Sequence, residues 1–252
     1  MSAPYTLVVL VTAVLLSACG SDGSGDETPA STEASSAPPL TTVADTIPET
    51  TLRARPPTDY AGFAEQPTAC GADAPDPVTP MTFAAPEDQG LNSTQMIPAT
   101  IATSCGDIEV ELDPGIAPET VNSFVFLARS GYFDGSVSHR IVPGFVIQAG
   151  DPTATGREGP GYTIPDELPT AGFVYERGVL AMANAGPNTT GSQFFVVLAN
   201  APLNPDFSVF GRVVDGLETL DHIATIPLGP NAFGEVSVPL ETLYIETVTI
   251  GC

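Results

Sequence analysis

The sequence predicts a mainly β fold, a closed β-barrel with two helices, built by the second part of the chain. Short strand-like runs separated by Gly- and Pro-containing turns fill that part, whereas only two segments show a helical period. Apolar residues make up 42% of the 252 residues, which is enough for a hydrophobic core. We place the folded domain at residues 98–252, because the strand-like alternation begins there.

Periodicity locates the predicted elements along this domain. Residues 107–112 alternate acidic with apolar side chains, which is the pattern of a half-buried strand. Pro118 then opens a helical pattern, and Gly131 suits the position just after its end. The residues Pro143 and Gly144 require a bend within one strand-like run. The further predicted strands are 141–148, 179–183, 194–198, 209–214 and 243–250, and the second predicted helix is 216–224.

The N-terminus has the features of an export signal. Leu7–Leu16 is an apolar run, too short for a membrane span, which needs about 20 residues, but typical of the core of a signal peptide. The run ends in the letters LSAC, which resemble the bacterial lipobox, and the last of them is Cys19. We therefore predict a signal peptide over residues 1–18 and lipidation of Cys19. The alternative is a plain secretory signal with an incidental cysteine.

Lipidation would place the protein in a bacterial cell envelope, anchored on the outer side of the cytoplasmic membrane. Stable anchoring takes more than one acyl chain, because a single chain binds only marginally. Residues 19–58 are rich in Ser, Thr, Pro and acids with few apolar residues, which predicts a disordered acidic linker or stalk. Residues 59–97 remain Pro-rich but contain aromatic residues, and we expect them to form an arm that packs on the domain.

Charge and cysteine count exclude several classes of function. The net charge is −23, and the chain has only 7 Lys and Arg residues, so a basic surface for nucleic acid is missing. The four cysteines and two histidines have no metal-site spacing, so we predict no metal. Export favours disulfides, and we favour a pair between Cys70 and Cys105 because Cys252 is the chain's last residue. The sequence does not exclude the other pairings.

The common motifs for cofactors and covalent catalysis are absent. The sequence has no GxGxxG, GxxxxGK[ST], HExxH or GxSxG, and we predict no cofactor. A serine hydrolase is one alternative, with Ser192 beside His139 or His222, but the context TGSQF lacks a nucleophile elbow. The more conservative interpretation of His139 is a hydrogen-bonded structural residue.

Two stretches combine polar residues with apolar ones in a way that a core strand or a plain loop does not need. Residues 138–148 contain Arg140 and Gln148 in an otherwise apolar run, and such groups need partners when they are buried. Arg140 forms either an internal salt bridge or one wall of a site. Residues 181–195 mix small residues and amides with two phenylalanines, which suggests a second wall.

These stretches resemble one family. The runs HRIVPGFVIQAGDP, GVLAMANAGPNTTGSQFF and FSVFGRVVDGLETLDHI follow in this order and are similar to the cyclophilin-type peptidyl-prolyl cis-trans isomerases. The resemblance covers roughly residues 98–252. It implies a cyclophilin-like fold, a closed eight-stranded antiparallel β-barrel capped by two α-helices.

The resemblance also implies an activity, acceleration of rotation about X–Pro bonds in secreted or envelope proteins, without covalent or acid–base chemistry. Arg140 would be the catalytic donor to the prolyl nitrogen. The partners would be proline-containing polypeptides, and we expect a monomer. The implied substrate-binding residues are Phe145, Val146, Gln148, Ala183, Asn184, Gln193, Phe195, Leu203 and Phe207. The alternative is a proline-peptide binding module or chaperone with little turnover.

This chain departs from the family pattern at the rim of the implied site. It has no Trp, and Pro202 lies near the place where many members carry one, so cyclosporin binding is left open. Phe207 stands where a His is common, and Ser138 where an aromatic residue is frequent. These departures concern ligand preference and local packing around Arg140.

Overall fold

The computed structural model describes residues 55–251, so the predicted signal peptide, Cys19, most of the linker and Cys252 lie outside the described residues. The α-helices of the described part are α1 (Tyr60–Ala64), α2 (Pro118–Arg129) and α3 (Leu217–Ile223). Its strands are β1 (Ile97–Thr103), β2 (Gly106–Leu112), β3 (Ser136–Val137), β4 (Arg140–Val142), β5 (Val146–Ala149), β6 (Val179–Met182), β7 (Phe194–Val197), β8 (Val209–Asp215), β9 (Leu228–Pro230), β10 (Val236–Pro239) and β11 (Tyr244–Ile250).

A curled antiparallel sheet organises these elements. Its nine strands lie in the order β3-β11-β1-β2-β8-β6-β7-β5-β4, and β9 pairs with β10 in a separate two-stranded sheet. The two edge strands, β3 and β4, are consecutive in the chain and are joined by Ser138 and His139. The Ser138 N–H donates to the carbonyl oxygen of Leu243, and its hydroxyl donates to the carbonyl oxygen of Gln148, each at 2.9 Å. Ser138 thus links the two edges of a half-barrel.

The mainly β prediction is confirmed, but the closed eight-stranded barrel is not. Within residues 55–251 no ladder pairs β3 with β4, and the sheet has nine strands. The described part contains three α-helices instead of two, because the arm contributes α1. Strands of two to four residues, as in β3 and β4, carry too weak a periodic signal to be recognised in the sequence.

Helix α2, which the sequence predicts from Pro118 onwards, packs on the inner face of the sheet. Its predicted apolar face is buried, and all of its members are at most 6% exposed: Val121, Phe124, Val125 and Ala128. Phe124 lies at the centre of an aromatic cluster, with ring centroids 5.0 to 5.5 Å from those of Phe133, Phe194 and Phe210. This apolar packing fixes the sheet whose outer face carries the site.

The single strand predicted over residues 141–148 is in fact a hairpin. Pro143 and Gly144 form a turn, in which the Phe145 N–H donates to the carbonyl oxygen of Val142 at 2.9 Å. Gly144 has a φ of +72°, a conformation that favours glycine. The resulting antiparallel register places Arg140 directly opposite Gln148.

The arm before the sheet lies against the domain. Phe63 of α1 is 1% exposed, and the Tyr60 hydroxyl donates to the carbonyl oxygen of Gly135 at 3.1 Å. A disulfide joins Cys70 of the arm to Cys105 in the β1–β2 turn, which is the pairing that the sequence favours. None of the helices within residues 55–251 is long and apolar enough to cross a membrane.

Candidate functional site

The β4–β5 hairpin presents the first part of the candidate site. Arg140 on β4 and Gln148 on β5 are paired across the hairpin, so their side chains lie on the same face of the sheet. Gln193, just before β7, is the third polar side chain here. Its Oε1 accepts a hydrogen bond from Gln148 Nε2 at 3.0 Å. These three polar residues therefore come from neighbouring strands, and no hydrogen bond joins Gln148 to Arg140 in the described structure.

Arg140 is held by a carboxylate that the sequence analysis did not identify. Its Nε donates to Glu235 Oε2 at 2.9 Å, and its Nη2 donates to Glu235 Oε1 at 2.7 Å. The pair occupies two of the five N–H groups of the guanidinium and leaves both N–H groups of Nη1 without an acceptor in the described structure. Arg140 thus forms both a salt bridge and, by its free edge, a wall of the site. Glu235 lies in a turn, and no motif marks it in the sequence.

The turn between β9 and β10 fixes Glu235. The side-chain oxygen of Asn231 accepts hydrogen bonds from the N–H groups of Phe233 and Glu235, at 2.9 and 3.1 Å. The hydrogen bonds from Arg140 lower the pKa of Glu235 below its ordinary value, against the raising effect of burial. Glu235 is therefore an anion at neutral pH, and the geometry of the pair is set from the turn as well as from β4.

An apolar patch lies beside Arg140. We use this name for Phe145, Val146, Phe195, Leu203 and Phe207, which belong to one hydrophobic cluster. Val146 and Phe195 are 3% and 5% exposed and form its floor, whereas the other three are only partly buried. The Arg140 guanidinium carbon is 6.0 Å from the centre of the Phe145 ring. The structure therefore brings the predicted cation and the predicted apolar residues together.

Tyr175, which the sequence analysis missed, supports one wall of the apolar patch. It is fully buried, and its hydroxyl donates to the carbonyl oxygen of Phe207 at 2.8 Å. The same hydroxyl accepts a hydrogen bond from the Phe207 N–H at 3.2 Å. The Phe207 ring then packs edge-on against Phe195, with the centroids 5.5 Å apart. Tyr175 thus holds Phe207 in place at the edge of the apolar patch.

Ala183 and Asn184, both predicted to bind substrate, make hydrogen bonds within the domain. The Ala183 N–H donates to the carbonyl oxygen of Gln193 at 2.9 Å, so this group is already engaged in the sheet. The side chain of Asn184 donates to the carbonyl oxygen of Asp206 at 2.8 Å and fixes the segment that carries Phe207. Asn184 therefore orders the rim of the site by its side chain.

The serine hydrolase alternative is not supported by the contacts of its residues. Ser192 is 0% exposed, and its hydroxyl donates to the carbonyl oxygen of Gly150 at 2.6 Å and lies 3.1 Å from that of Tyr132. His139 is partly buried, and its Nδ1 has no hydrogen-bond partner among the described residues. Desolvation lowers the pKa of His139 to about 4, so the imidazole is neutral at pH 7. Residues 55–251 also contain no cluster of His, Cys, Asp and Glu suited to a metal.

Comparison with known sequences identifies the same region. The family model described as "Cyclophilin type peptidyl-prolyl cis-trans isomerase/CLD" matches residues 99–250. Human peptidyl-prolyl cis-trans isomerase-like 3 is 41% identical over 155 residues, covering 60% of this chain and 94% of that protein. The probable peptidyl-prolyl cis-trans isomerase B of Mycobacterium tuberculosis is 40% identical over 186 residues, covering 68% of this chain and 58% of that protein.

Comparison with solved structures leads to the same family. A crystal structure of a cyclophilin-type peptidyl-prolyl cis-trans isomerase from Cryptosporidium parvum superposes with a TM-score of 0.58 at 34% identity, covering 63% of this chain and 99% of that one. A second structure of the same protein, determined in the presence of the dipeptide Ala-Pro, superposes with a TM-score of 0.57.

Proposed function

Because the chain belongs to the cyclophilin-type peptidyl-prolyl cis-trans isomerase family, we propose that it accelerates X–Pro bond rotation in secreted or envelope proteins as a folding catalyst. The observation that carries the proposal is the guanidinium of Arg140, which has a free edge beside the apolar patch. A proline ring binds such a patch through its apolar carbons, and the guanidinium then faces the peptide bond. The crystal form of the Cryptosporidium parvum relative obtained with Ala-Pro supports this class of ligand.

The barrier to rotation comes from amide resonance and is about 18–20 kcal/mol. As the bond twists, the prolyl nitrogen becomes pyramidal and its lone pair becomes a hydrogen-bond acceptor. A donor fixed at that position stabilises the transition state more than the planar ground state, and this lowers the barrier. No bond breaks, so the neutral His139 and the buried Ser192 have no chemical task in this reaction.

Glu235 contributes through the orientation of Arg140. A flexible arginine would lose rotamer entropy on reaching the transition-state geometry, whereas a bidentate pair holds the guanidinium plane beforehand. The pair uses the Nε side of the guanidinium and leaves the Nη1 edge for the substrate. We therefore assign Glu235 as a positioning residue for the catalytic donor.

The envelope location is part of the same proposal. The apolar run Leu7–Leu16 and the lipobox-like ending at Cys19 support export and lipidation. The acidic, Pro-rich linker would then separate the domain from the membrane, where newly exported chains with slow prolyl bonds are its substrates. Whole-protein mass after expression in a bacterium with lipoprotein processing tests this: cleavage before Cys19 with added acyl mass supports it, and an unmodified Cys19 contradicts it.

One observation favours a second candidate, a proline-peptide binding module with little turnover. Glu235 neutralises much of the positive charge of Arg140, and a weaker cation is a weaker electrophile toward the prolyl nitrogen. If the protein is such a module, the apolar patch binds proline, but the X–Pro bond rotates no faster than in solution.

A single assay separates the two candidates. NMR exchange spectroscopy on an X–Pro peptide with purified full-length protein measures rotation without a coupling protease. We expect exchange broadening with the wild type and a loss of at least tenfold in rate for Arg140→Ala, or about 1.4 kcal/mol. Arg129→Ala, at an exposed position of α2, is the matched control and keeps the wild-type rate. Peptide binding without any exchange in the wild type would establish the binding module instead.

A further inference from the structure

A cavity of about 880 Å³ is bordered by Arg140 and Gln148 but by none of the residues of the apolar patch. Three parts of the described chain build its walls: the entering segment 55–58, the loop 154–158 after β5, and the β9–β10 turn at 230–233. The first of these precedes residue 99, where the family match begins. This chain therefore builds the cavity partly from sequence that the family model does not include.

Two arginines at the cavity have no side-chain partner among residues 55–251. The structure describes six arginines, of which three form ion pairs with carboxylates. Arg129 donates a hydrogen bond to Gln89. The side chains of the remaining two, Arg55 and Arg157, make no hydrogen bond or ion pair within residues 55–251, and both border the cavity. In a chain with 30 acidic and only 7 basic residues, three arginines border this one cavity.

The acidic groups nearby do not neutralise both of them. Among residues 55–251, Glu158 is the only carboxylate that borders the cavity. Glu235 is engaged by Arg140, and Asp151 is 0% exposed and accepts hydrogen bonds from the N–H groups of Arg157 and Glu158 at 3.0 and 3.2 Å. Asp151 thus fixes the loop that carries Arg157. The side chain of Arg157 is therefore carried on an ordered backbone.

Phe233 adds an apolar surface at the same place. It borders the cavity and is 90% exposed, although the hydrogen bond from its N–H to Asn231 fixes its backbone. Aromatic residues and arginine are enriched where proteins bind other polypeptides. An exposed aromatic side chain that shares the cavity with the guanidinium groups of Arg55 and Arg157 suits a peptide that carries a carboxylate.

We propose that this cavity is a second subsite of the enzyme, and that it binds an acidic residue, Asp or Glu, near the prolyl bond of the substrate polypeptide. The proposal rests on the proposed function, because Arg140 and Gln148 border both the apolar patch and the cavity. A chain whose proline lies on the patch therefore continues into the cavity on one side. Arg55 and Arg157 pair with the carboxylate, and an extended chain, at about 3.3–3.6 Å per residue, places it within a few residues of the proline.

The test uses peptides with one X–Pro bond and Glu, Gln or Lys at the second, third or fourth position before or after the proline. Their affinity for the full-length protein is measured by fluorescence anisotropy at low and high salt. At one or more positions we expect the Glu peptide to bind about three- to fivefold more tightly than the Gln peptide at low salt, with the Lys peptide weaker still. High salt removes the difference.

Arginine variants show whether the preference for Glu peptides comes from the cavity. In the double variant Arg55→Gln/Arg157→Gln, the ratio of Glu to Lys affinity falls to about one, whereas the matched control Arg129→Gln keeps the wild-type ratio. Equal affinity for Glu and Lys peptides at every position, or a preference that survives in the double variant, would overturn the proposal. Anisotropy reports binding without turnover. A Glu preference without catalysed exchange would therefore contradict the proposed function and leave the subsite standing.

Discussion

The carboxylate of Glu235 accepts two hydrogen bonds from the guanidinium of Arg140, at 2.9 Å from Nε and 2.7 Å from Nη2. The two residues come from different sheets, Arg140 from β4 and Glu235 from the turn that joins β9 to β10. The pair is only partly exposed, with side-chain exposures of 27% and 40%. The carboxylate orients the cation, which supports catalysis, but it also reduces the charge of the cation, which supports binding with little turnover. The two candidate functions therefore predict opposite effects of a change at Glu235.

Glu235→Gln tests which effect dominates. We expect kcat for prolyl rotation to fall about three- to tenfold with KM nearly unchanged, because the guanidinium loses its fixed orientation and Gln replaces one acceptor with a donor. Glu235→Asp retains the charge and recovers part of the loss. NMR exchange rates over a range of peptide concentrations give both constants. A rate that rises in Glu235→Gln would show that charge neutralisation dominates and would contradict the positioning role.

The same pair predicts a flat pH profile. The hydrogen bonds from Arg140 lower the pKa of Glu235 below its ordinary value of 4.5, so the pair is present above that pH and is lost as the pH falls through the lowered value. We expect the exchange rate to be constant from about pH 5 to 9. A fall in rate centred near pH 6 to 7 would show that a histidine takes part in catalysis.

The sequence was sufficient for the elements with a clear period and for Arg140 and the apolar patch, but not for short strands such as β3 and β4. Alternation in 107–112 and the helical period after Pro118 predict β2 and α2 correctly because each depends on neighbours in the chain. Glu235 and Tyr175 were missed for a physical reason. Their partners, Arg140 and Phe207, are 95 and 32 residues away, and only the folded sheet brings them together.

A partly buried, neutral histidine makes stability depend on pH. Desolvation lowers the pKa of His139 from 6.5 to about 4, so the unfolded chain binds a proton between these values and the folded chain does not. The free energy of unfolding therefore falls as the pH drops from about 6.5 to 4, by no more than about 3 kcal/mol from this group. Urea unfolding of wild type and His139→Gln at several pH values measures it.

The informative quantity is the difference in slope between the two proteins, because carboxylates titrate in the same range. His139→Gln should show the shallower fall, and the matched control, His222→Gln on the exposed side of α3, should keep the wild-type slope. Identical slopes for wild type and His139→Gln would show that His139 is protonated in the folded state.

The disulfide between Cys70 and Cys105 holds the arm to the β1–β2 turn across a sequence separation of 35. Its loss in Cys70→Ser/Cys105→Ser should reduce the free energy of unfolding by about 2–4 kcal/mol, because the unfolded chain regains the entropy of a closed loop. Isomerase activity at room temperature should remain, since the turn carries no residue of the candidate site. Chemical unfolding combined with the exchange assay checks both parts, and unchanged stability would show that the arm is held by its other contacts alone.

Tyr175→Phe removes a single oxygen from the support of the apolar patch. That oxygen donates to the carbonyl oxygen of Phe207 and accepts from the Phe207 N–H, so its loss leaves both backbone groups without these partners. We expect a loss of stability of about 1–3 kcal/mol and a higher KM for prolyl peptides, because Phe207 no longer packs firmly against Phe195. The value of kcat should change little, since Arg140 and Glu235 are untouched. An unchanged KM together with a reduced kcat would instead place Phe207 in the stabilisation of the transition state.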